Sequence, residues 1–475
     1  MEPLPELSLP AEHNDRRDAR TIGRMPKGPA PEAYLFISTT SWRRDTMDRV
    51  TDEPRTMQTF EALESKVRWY SRSFPEIFIR ASGSCMETMH GRKVIDFFSG
   101  AGALNYGHNN QEIKSVVTEY IESNAIIHGL DMATPAKLEF METFSSVINQ
   151  ARGLQYLFHF TGPTGANAVE AALKLSRKLT GRQNIISFTD GYHGVSLGAL
   201  AATGNRLCRR ASGTPLSGVT FMPYDGYLGP SVDTAQYLRQ LLQGESSGID
   251  LPAAILVETV QGEGGINVAS NEWLKSIERI ARDFGAIFII DEIQMGCGRT
   301  GEFFSFERSA LSPDIVVMSK SLSGYGLPLS ILLIKEGLDV WQPGEHSGTF
   351  RGNNLALVAA TAAINIYWRS QTFSEGVQCI GEYMRRRLEA IASKHGSSFA
   401  VRGRGMALGV DCQTGETAEA TTRRAFKKGL IIDRCGPLDQ VVKFLPALTI
   451  DIQTLNDGLE IFEESLAETL NGVGS

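Results

Sequence analysis

Between about residues 184 and 334 the chain alternates short, almost wholly apolar runs with longer amphipathic ones, and few architectures accept that pattern. The apolar runs fall at 184–188, 253–260, 286–293, 314–319 and 329–334. A strand that is apolar on both faces has to be covered on both faces. Only a mostly parallel sheet between layers of helices does this repeatedly. The stretch 271–285 supplies such a cover: Leu274, Ile277, Ala281 and Phe284 recur at three- and four-residue steps on one helical face. Asn271 is expected as its N-cap and Gly285 as its C-cap. Further helices are expected at 355–368 and 380–394. The last hundred residues, with apolar runs at 407–410, 430–433 and 441–444, read as a smaller α+β unit.

At 475 residues the chain is long enough for two or three domains. A net charge of -7 gives no reason to expect nucleic acid or an anionic membrane surface as partner. No apolar run approaches the length of a membrane span, and no basic segment followed by an apolar one marks the N-terminus as a secretion signal. The six cysteines are scattered without metal-ligand spacing, so neither a metal site nor a disulfide framework is expected, and a reducing cytoplasm fits. Residues 1–55 are rich in Pro, Arg and Asp with little apolar periodicity and are expected to form a disordered extension, interrupted by the apolar patch Tyr34-Leu35-Phe36-Ile37.

Three features lie in order at the C-terminal ends of expected strands, the edge where open α/β sheets bind ligands. The first is the small-residue stretch 161–174, in which Gly162, Gly165 and Ala166 precede an amphipathic helix. A loop entering a helix N-terminus gathers unpaired N–H groups and suits a phosphate, although such loops are common without any ligand. The second is Asp291-Glu292, closing the run 286–291. It resembles the acidic end of a nucleotide-hydrolase strand, but the GxxxxGK[ST] loop that such an enzyme needs is missing. Asp291 is left to hold a buried cation, for which a protonated pyridine nitrogen is a good candidate. The third is Lys320, just past the run 314–319. A strand-end lysine is usually only a solvent-seeking residue. Beside Asp291 and a phosphate loop, a desolvated lysine becomes a nucleophilic amine able to condense with an aldehyde. Gly191-Tyr192-His193-Gly194 could lay a flat ring over a flat cofactor, and Glu258 with Gln261-Gly262-Glu263-Gly264-Gly265 ends another strand with two carboxylates and a glycine-rich turn.

Taken together, the phosphate loop, the Tyr-His pair, Glu258 with the 261–265 turn, Asp291-Glu292 with Gln294, and Lys320 resemble the class III, fold type I aminotransferases that depend on pyridoxal 5′-phosphate. The likeness runs from about Phe60 to the end and implies a large domain with a mostly parallel seven-stranded sheet plus a smaller α+β domain. The division it suggests is 1–55 extension, 56–109 first part of the small domain, 110–375 large domain and 376–475 the rest of the small domain. Segments 100–109, 128–134, 160–165 and 346–354 narrow the likeness to the diaminobutyrate–2-oxoglutarate branch, the one that opens ectoine synthesis. This implies small amino-acid and keto-acid substrates: glutamate and aspartate 4-semialdehyde on one side, 2-oxoglutarate and 2,4-diaminobutyrate on the other.

By the same resemblance Lys320 holds the cofactor and moves a proton, Asp291 faces the pyridine nitrogen, and Gln294 lies near the ring's phenolic oxygen. Gly165 and Ala166 offer phosphate-binding amides, while Tyr192 covers the ring beside His193 and Glu258. Thr349 reaches the phosphate of a neighbouring subunit, which implies at least a homodimer. Glu263 is the gating carboxylate that pairs with a substrate-binding cation in one half-reaction. Asn105 and Tyr106 are expected at the substrate. One departure stands out: where ornithine-type enzymes carry an arginine for the gate, this chain carries Lys443. A lysine meets a carboxylate as a point charge, without a bidentate fork.

Overall fold

The computed structural model describes residues 57–395 and 398–472. The expected disorder of residues 1–55, and the patch at 34–37, lie outside the described residues.

Three strands, β1 (Phe78–Ser82), β2 (Cys85–Thr88) and β3 (Lys93–Asp96), form an antiparallel meander whose free edge is extended in parallel by Leu430–Ile431 from the other end of the chain. The central sheet has seven strands: β4 (Tyr156–Gly162), β5 (Ile185–Phe188), β6 (Val219–Met222), β7 (Ala254–Val257), β10 (Ile287–Asp291), β11 (Ile315–Met318) and β12 (Ser330–Lys335). Their spatial order is β4-β12-β11-β10-β7-β5-β6. Only β12 runs against its neighbours. Between β7 and β10 lies the small hairpin β8 (Val260–Gln261) and β9 (Asn267–Val268).

The continuous apolar runs have the cause inferred for them. Ala254 to Val257, Phe288 to Ile290 and Ile315 to Met318 are buried on both faces. One face packs on helix α1 (Gly165–Thr180), through Ala168, Ala172 and Leu175. The other packs on α2 (Asn271–Asp283) and α3 (Asn354–Tyr367), through Leu274, Ile277, Leu357 and Ala360. The expected caps of α2 shift by one residue. Ser270, not Asn271, is the N-cap, its side chain accepting from the Trp273 amide; Phe284 holds the C-cap and Gly285 follows at φ 62. The expected run 253–260 is interrupted because Glu258 and Thr259 leave the β7 ladder to serve side-chain contacts.

A second core forms around helices α4 (Thr372–His395), α5 (Gly415–Lys428) and α6 (Ile452–Gly472), packed on an antiparallel sheet of order β13 (Ala400–Arg404), β14 (Ala407–Asp411), β17 (Val441–Phe444), β16 (Asp433–Cys435). The strand β15 (Leu430–Ile431), one residue before β16, belongs to the N-terminal meander instead. Phe97 of the meander is packed in this second core. Among the described residues no helix is long and apolar enough to cross a membrane, and no group of three or more His, Cys, Asp or Glu is placed to hold a metal ion.

Candidate active site

Five strands of the central sheet deliver their C-terminal ends to one cavity of about 550 Å³. Pro163 to Ala166 follow β4, Tyr192 to Val195 follow β5, Glu258 follows β7, Asp291 ends β10, and Ser319 and Lys320 follow β11. A larger, more open cleft of about 820 Å³ between 268–272, 300–308 and 378–405 contains none of the expected site residues.

The first wall is the entry to α1. Thr164 donates its hydroxyl to Asn167 Oδ1 at 2.9 Å, closing the turn, and the amides of Gly165 and Ala166 begin the helix, where no intrahelical acceptor exists. The small side chains are a steric requirement: a Cβ on Gly165 would stand 2.7 Å from Ile293 Cδ1, and one on Gly194 2.8 Å from the Ala166 Cβ.

The second wall carries charge. Asp291 is 4 % exposed, and its Oδ2 lies 2.7 Å from Nδ1 of the equally buried His193. Burial works against a charged His193, but the hydrogen bond and the charge of Asp291 outweigh it and raise the imidazole pKa. Glu258 accepts from the amides of Tyr192 (3.0 Å) and Gly262 (3.1 Å). Burial lifts its carboxyl to about 7; the His193 charge opposes the rise and that of Asp291 adds to it. The neighbouring carboxylate of the Asp-Glu pair points the opposite way, as consecutive strand residues do. Glu292 accepts from the Ser305 hydroxyl and amide and anchors a loop away from the cavity.

Lys320 sits at φ 50, a left-handed conformation costly for a side-chain-bearing residue. Strain of that kind persists only where the surroundings impose it. Burial lowers the amine's pKa; Glu263 opposes this and Lys443 reinforces it. A neutral, nucleophilic amine is thereby favoured.

The floor is the Glu263 pair. Lys443, with a fully buried side chain, donates to Glu263 Oε1 at 2.7 Å, and Gln294 Nε2 donates to the same oxygen at 3.0 Å while also reaching the Ala101 carbonyl at 3.0 Å. Burial would raise the Glu263 pKa, but Lys443 first and Lys320 second hold it at about 2. Lys443 therefore meets Glu263 as a buried point charge, through one oxygen and without a bidentate fork. The turn bearing Glu263 needs its glycines, since a Cβ on Gly264 would meet the Asp190 carbonyl at 2.4 Å.

Two expected substrate contacts are corrected. Asn105 is fully buried: it donates to the Cys297 carbonyl at 2.9 Å and accepts from Arg299 at 2.6 Å. Tyr106 accepts a 2.7 Å hydrogen bond from Trp368 Nε1 and stacks on Tyr367. Neither lines the cavity of this chain; both hold the wall behind it. Thr349 is exposed and away from this cavity, on the segment that Gly352 ties to Gly129 (2.8 Å).

Three features escaped the sequence reading. Ser99, Gly100, Ala101 and Gly102 all have φ between 48 and 81, a left-handed turn that presents the Ala101 carbonyl to Gln294; the glycine pair was its only signal. Tyr70 has its hydroxyl pKa raised by burial and then by the charges of Asp433 and Glu263, so it shares the electrostatic surroundings of the Glu263–Lys443 pair. Asp433 lies 3.6 Å from Lys443 Nζ. Its signal was a lone carboxylate ending an apolar run.

These surroundings fit pyridoxal phosphate. The α1 amides and glycines form a phosphate-sized entry, the buried Asp291 faces the cavity ready for a cation, and a strained, desolvated amine faces it from the next strand.

The family model for "Aminotransferase class-III" matches residues 69–466. An uncharacterized aminotransferase of Sinorhizobium fredii is 58 % identical over 87 % of this chain and 93 % of its own length. A diaminobutyrate–2-oxoglutarate transaminase of Bordetella parapertussis is 53 % identical over 87 % of this chain and 96 % of its own. That of Halomonas elongata is 51 % identical over 87 % of this chain and 99 % of its own. The ornithine aminotransferase of Toxoplasma gondii shares the fold, with a TM-score of 0.78 at 21 % identity, over 92 % of this chain and 99 % of its own. With a site of this geometry at the strand ends, and a family match that spans most of its length, the chain belongs to the class III aminotransferases.

Proposed function

We propose that this chain transfers an amino group from L-glutamate to the terminal carbon of L-aspartate 4-semialdehyde, giving 2-oxoglutarate and L-2,4-diaminobutyrate, with pyridoxal phosphate held on Lys320. The observation that carries the reading is the convergence of Lys320, Asp291 and the Glu263–Lys443 pair on one cavity in a chain about half identical to diaminobutyrate–2-oxoglutarate transaminases.

Pyridoxal phosphate, when bound, supplies an aldehyde that captures amines and a ring that takes up the electron pair left on carbon when a proton departs. The protein does the rest. The Gly165 and Ala166 amides would hold the phosphate, Tyr192 would cover the ring, and Gln294 would attend the phenolic oxygen. Asp291, held by His193, keeps its carboxylate aimed at the ring nitrogen. With the cofactor bound, the Lys320 amine would be the placed base that takes the proton from the substrate carbon and gives it back; proton transfer by such a base contributes about 10²- to 10⁴-fold. Glu263 leaves Lys443 when glutamate brings its own carboxylate and returns when diaminobutyrate, which reacts at its far amine, occupies the cavity.

We also assign residues 56–109 and 376–475 to one small domain, a reading supported by the parallel pairing of β3 with Leu430–Ile431. A cytoplasmic homodimer, with Thr349 serving the neighbouring site, and a place at the start of ectoine synthesis complete the proposal.

The test is a spectral titration of the cofactor-loaded protein with L-2,4-diaminobutyrate, L-ornithine and 4-aminobutyrate separately. The expected result is rapid loss of the visible absorbance with diaminobutyrate alone, and no such band in Lys320→Ala. Equal bleaching by ornithine or 4-aminobutyrate would remove the diaminobutyrate assignment and leave an aminotransferase. A wild-type protein that takes up no cofactor would remove the mechanism.

A further inference from the structure

Lys443 has two counter-ions of different kinds. Glu263 comes from the glycine-rich turn between β8 and β9; its backbone is pinned by the Gly436 amide donating to its carbonyl at 2.9 Å, so only its side chain can swing, and that side chain is 28 % exposed to the cavity. Asp433 sits on β16 directly opposite Lys443 on β17, so strand register fixes its place; its side chain is 10 % exposed and its Oδ2 lies 3.6 Å from Nζ. The short, mostly buried Asp433 side chain, on a backbone held by strand pairing, has far less room to withdraw than that of Glu263.

We infer that Asp433 is the permanent counter-ion of the gate: it keeps Lys443 cationic, and so able to receive a substrate carboxylate, during the interval when Glu263 has moved away. The inference rests on the reading of Lys443 and Glu263 as the gate. A fully buried lysine without a carboxylate loses its proton readily, because desolvation disfavours the charged form. With Glu263 displaced, the acidic groups facing Lys443 among the described residues are Asp433 and the buried thiol of Cys435; burial raises both and Lys443 opposes it, and of the two the carboxyl is the one that can carry negative charge near neutral pH. Tyr70, Tyr192, Lys320, Arg434 and Arg402 complete the titratable and charged surroundings of this cluster. The arrangement also explains how a lysine replaces arginine here. Arginine stays charged without help, whereas lysine needs a fixed partner to do so.

The experiment removes the moving carboxylate and then the fixed one, in cofactor-loaded protein, and measures binding of the dicarboxylate glutarate calorimetrically from pH 7 to pH 9. Glu263→Gln is expected to bind glutarate with little change across that range, because Asp433 holds the charge. Glu263→Gln/Asp433→Asn is expected to lose affinity with rising pH, approaching tenfold per pH unit above the lowered lysine pKa. Glu263→Gln/Asp433→Glu should restore the flat profile, which a merely structural role for Asp433 would not require. The visible cofactor absorbance checks that each variant is folded, and Asp433→Ser replaces Asp433→Asn should the latter fail. A flat profile in the Asn or Ser double variant overturns the inference while leaving the gate intact. Glutarate binding that is unchanged in Lys443→Met overturns the gate reading itself, and the inference with it.

Discussion

Replacing Lys443 with methionine keeps a long apolar stem in a fully buried slot and deletes its charge, leaving two carboxylates to be accommodated. Glu263 opens to the cavity and can hydrate there. Asp433, on a strand and 10 % exposed, cannot, so the variant must either keep a buried unpaired charge or protonate it. Protonation is the cheaper course. From an ordinary carboxyl value near 3.9, at about 1.4 kcal/mol per pH unit, it costs about 4 kcal/mol at pH 7 and about 1.5 kcal/mol at pH 5. The sign follows from linkage. In the variant the folded state holds a proton that the unfolded state has released, so its stability falls as pH rises through this range. In wild type burial still raises the Asp433 carboxyl, but the Lys443 charge opposes the rise and so weakens that proton uptake. The stability gap between the two proteins is therefore expected to widen from pH 5 to pH 7 by up to about 1.4 kcal/mol per unit, as read from guanidinium unfolding at pH 5, 6 and 7. The activity should change selectively: loss of a charge-assisted hydrogen bond, worth about 1.5–3 kcal/mol, predicts a fall of about 10- to 150-fold in kcat/KM for glutamate and a much smaller one for diaminobutyrate. A gap independent of pH would refute the argument about Asp433, and equal losses on both substrates would refute the assignment of Lys443.

Glu292 is 1 % exposed and burial lifts its carboxyl to about 7, so the folded protein keeps a proton that the unfolded chain releases above about 4.5; stability of the wild type should fall by about 2.5 kcal/mol between pH 5 and 8 on this account, and Glu292→Gln should remove that share of the slope in denaturant titrations. Gly194→Ala would press a methyl group to within 2.8 Å of Ala166 at φ 124, and the combined clash and strain, about 2–4 kcal/mol, should show as faster loss of cofactor on dialysis. Gly165→Ala meets Ile293 at Cδ1 (2.7 Å), Cγ2 (3.1 Å) and Cγ1 (3.2 Å) but adds no left-handed backbone strain, and should lose cofactor more slowly than Gly194→Ala. Mixed refolding of Lys320→Ala with Thr349→Ala should recover activity that neither variant has alone, since a hybrid dimer holds one intact site; absence of recovery would count against a shared site.

The order of strands and helices was legible in this sequence because doubly buried strands and one-sided helices write different periodicities into the chain. That Lys320, Asp291 and the turn entering α1 would meet at one cavity was legible for a related reason: each follows or closes a strand, and strand ends of a parallel sheet converge on one edge. What sequence could not convey was which strand-end side chains turn toward each other. Asp291 and Glu292 are adjacent in the chain, yet one faces the cavity with His193 and the other anchors Ser305, and that choice belongs to the pleat. Asn105 and Tyr106 looked like substrate contacts, but packing buries them behind the wall, where Arg299 and Trp368 claim their polar atoms. Asp433 and Glu263 are 170 residues apart and meet at Lys443 only because β16 and β17 pair in one register while a glycine turn from the central sheet arrives over them. Local sequence fixes what each residue can do. Strand register and tertiary packing decide which charges are left to compensate one another.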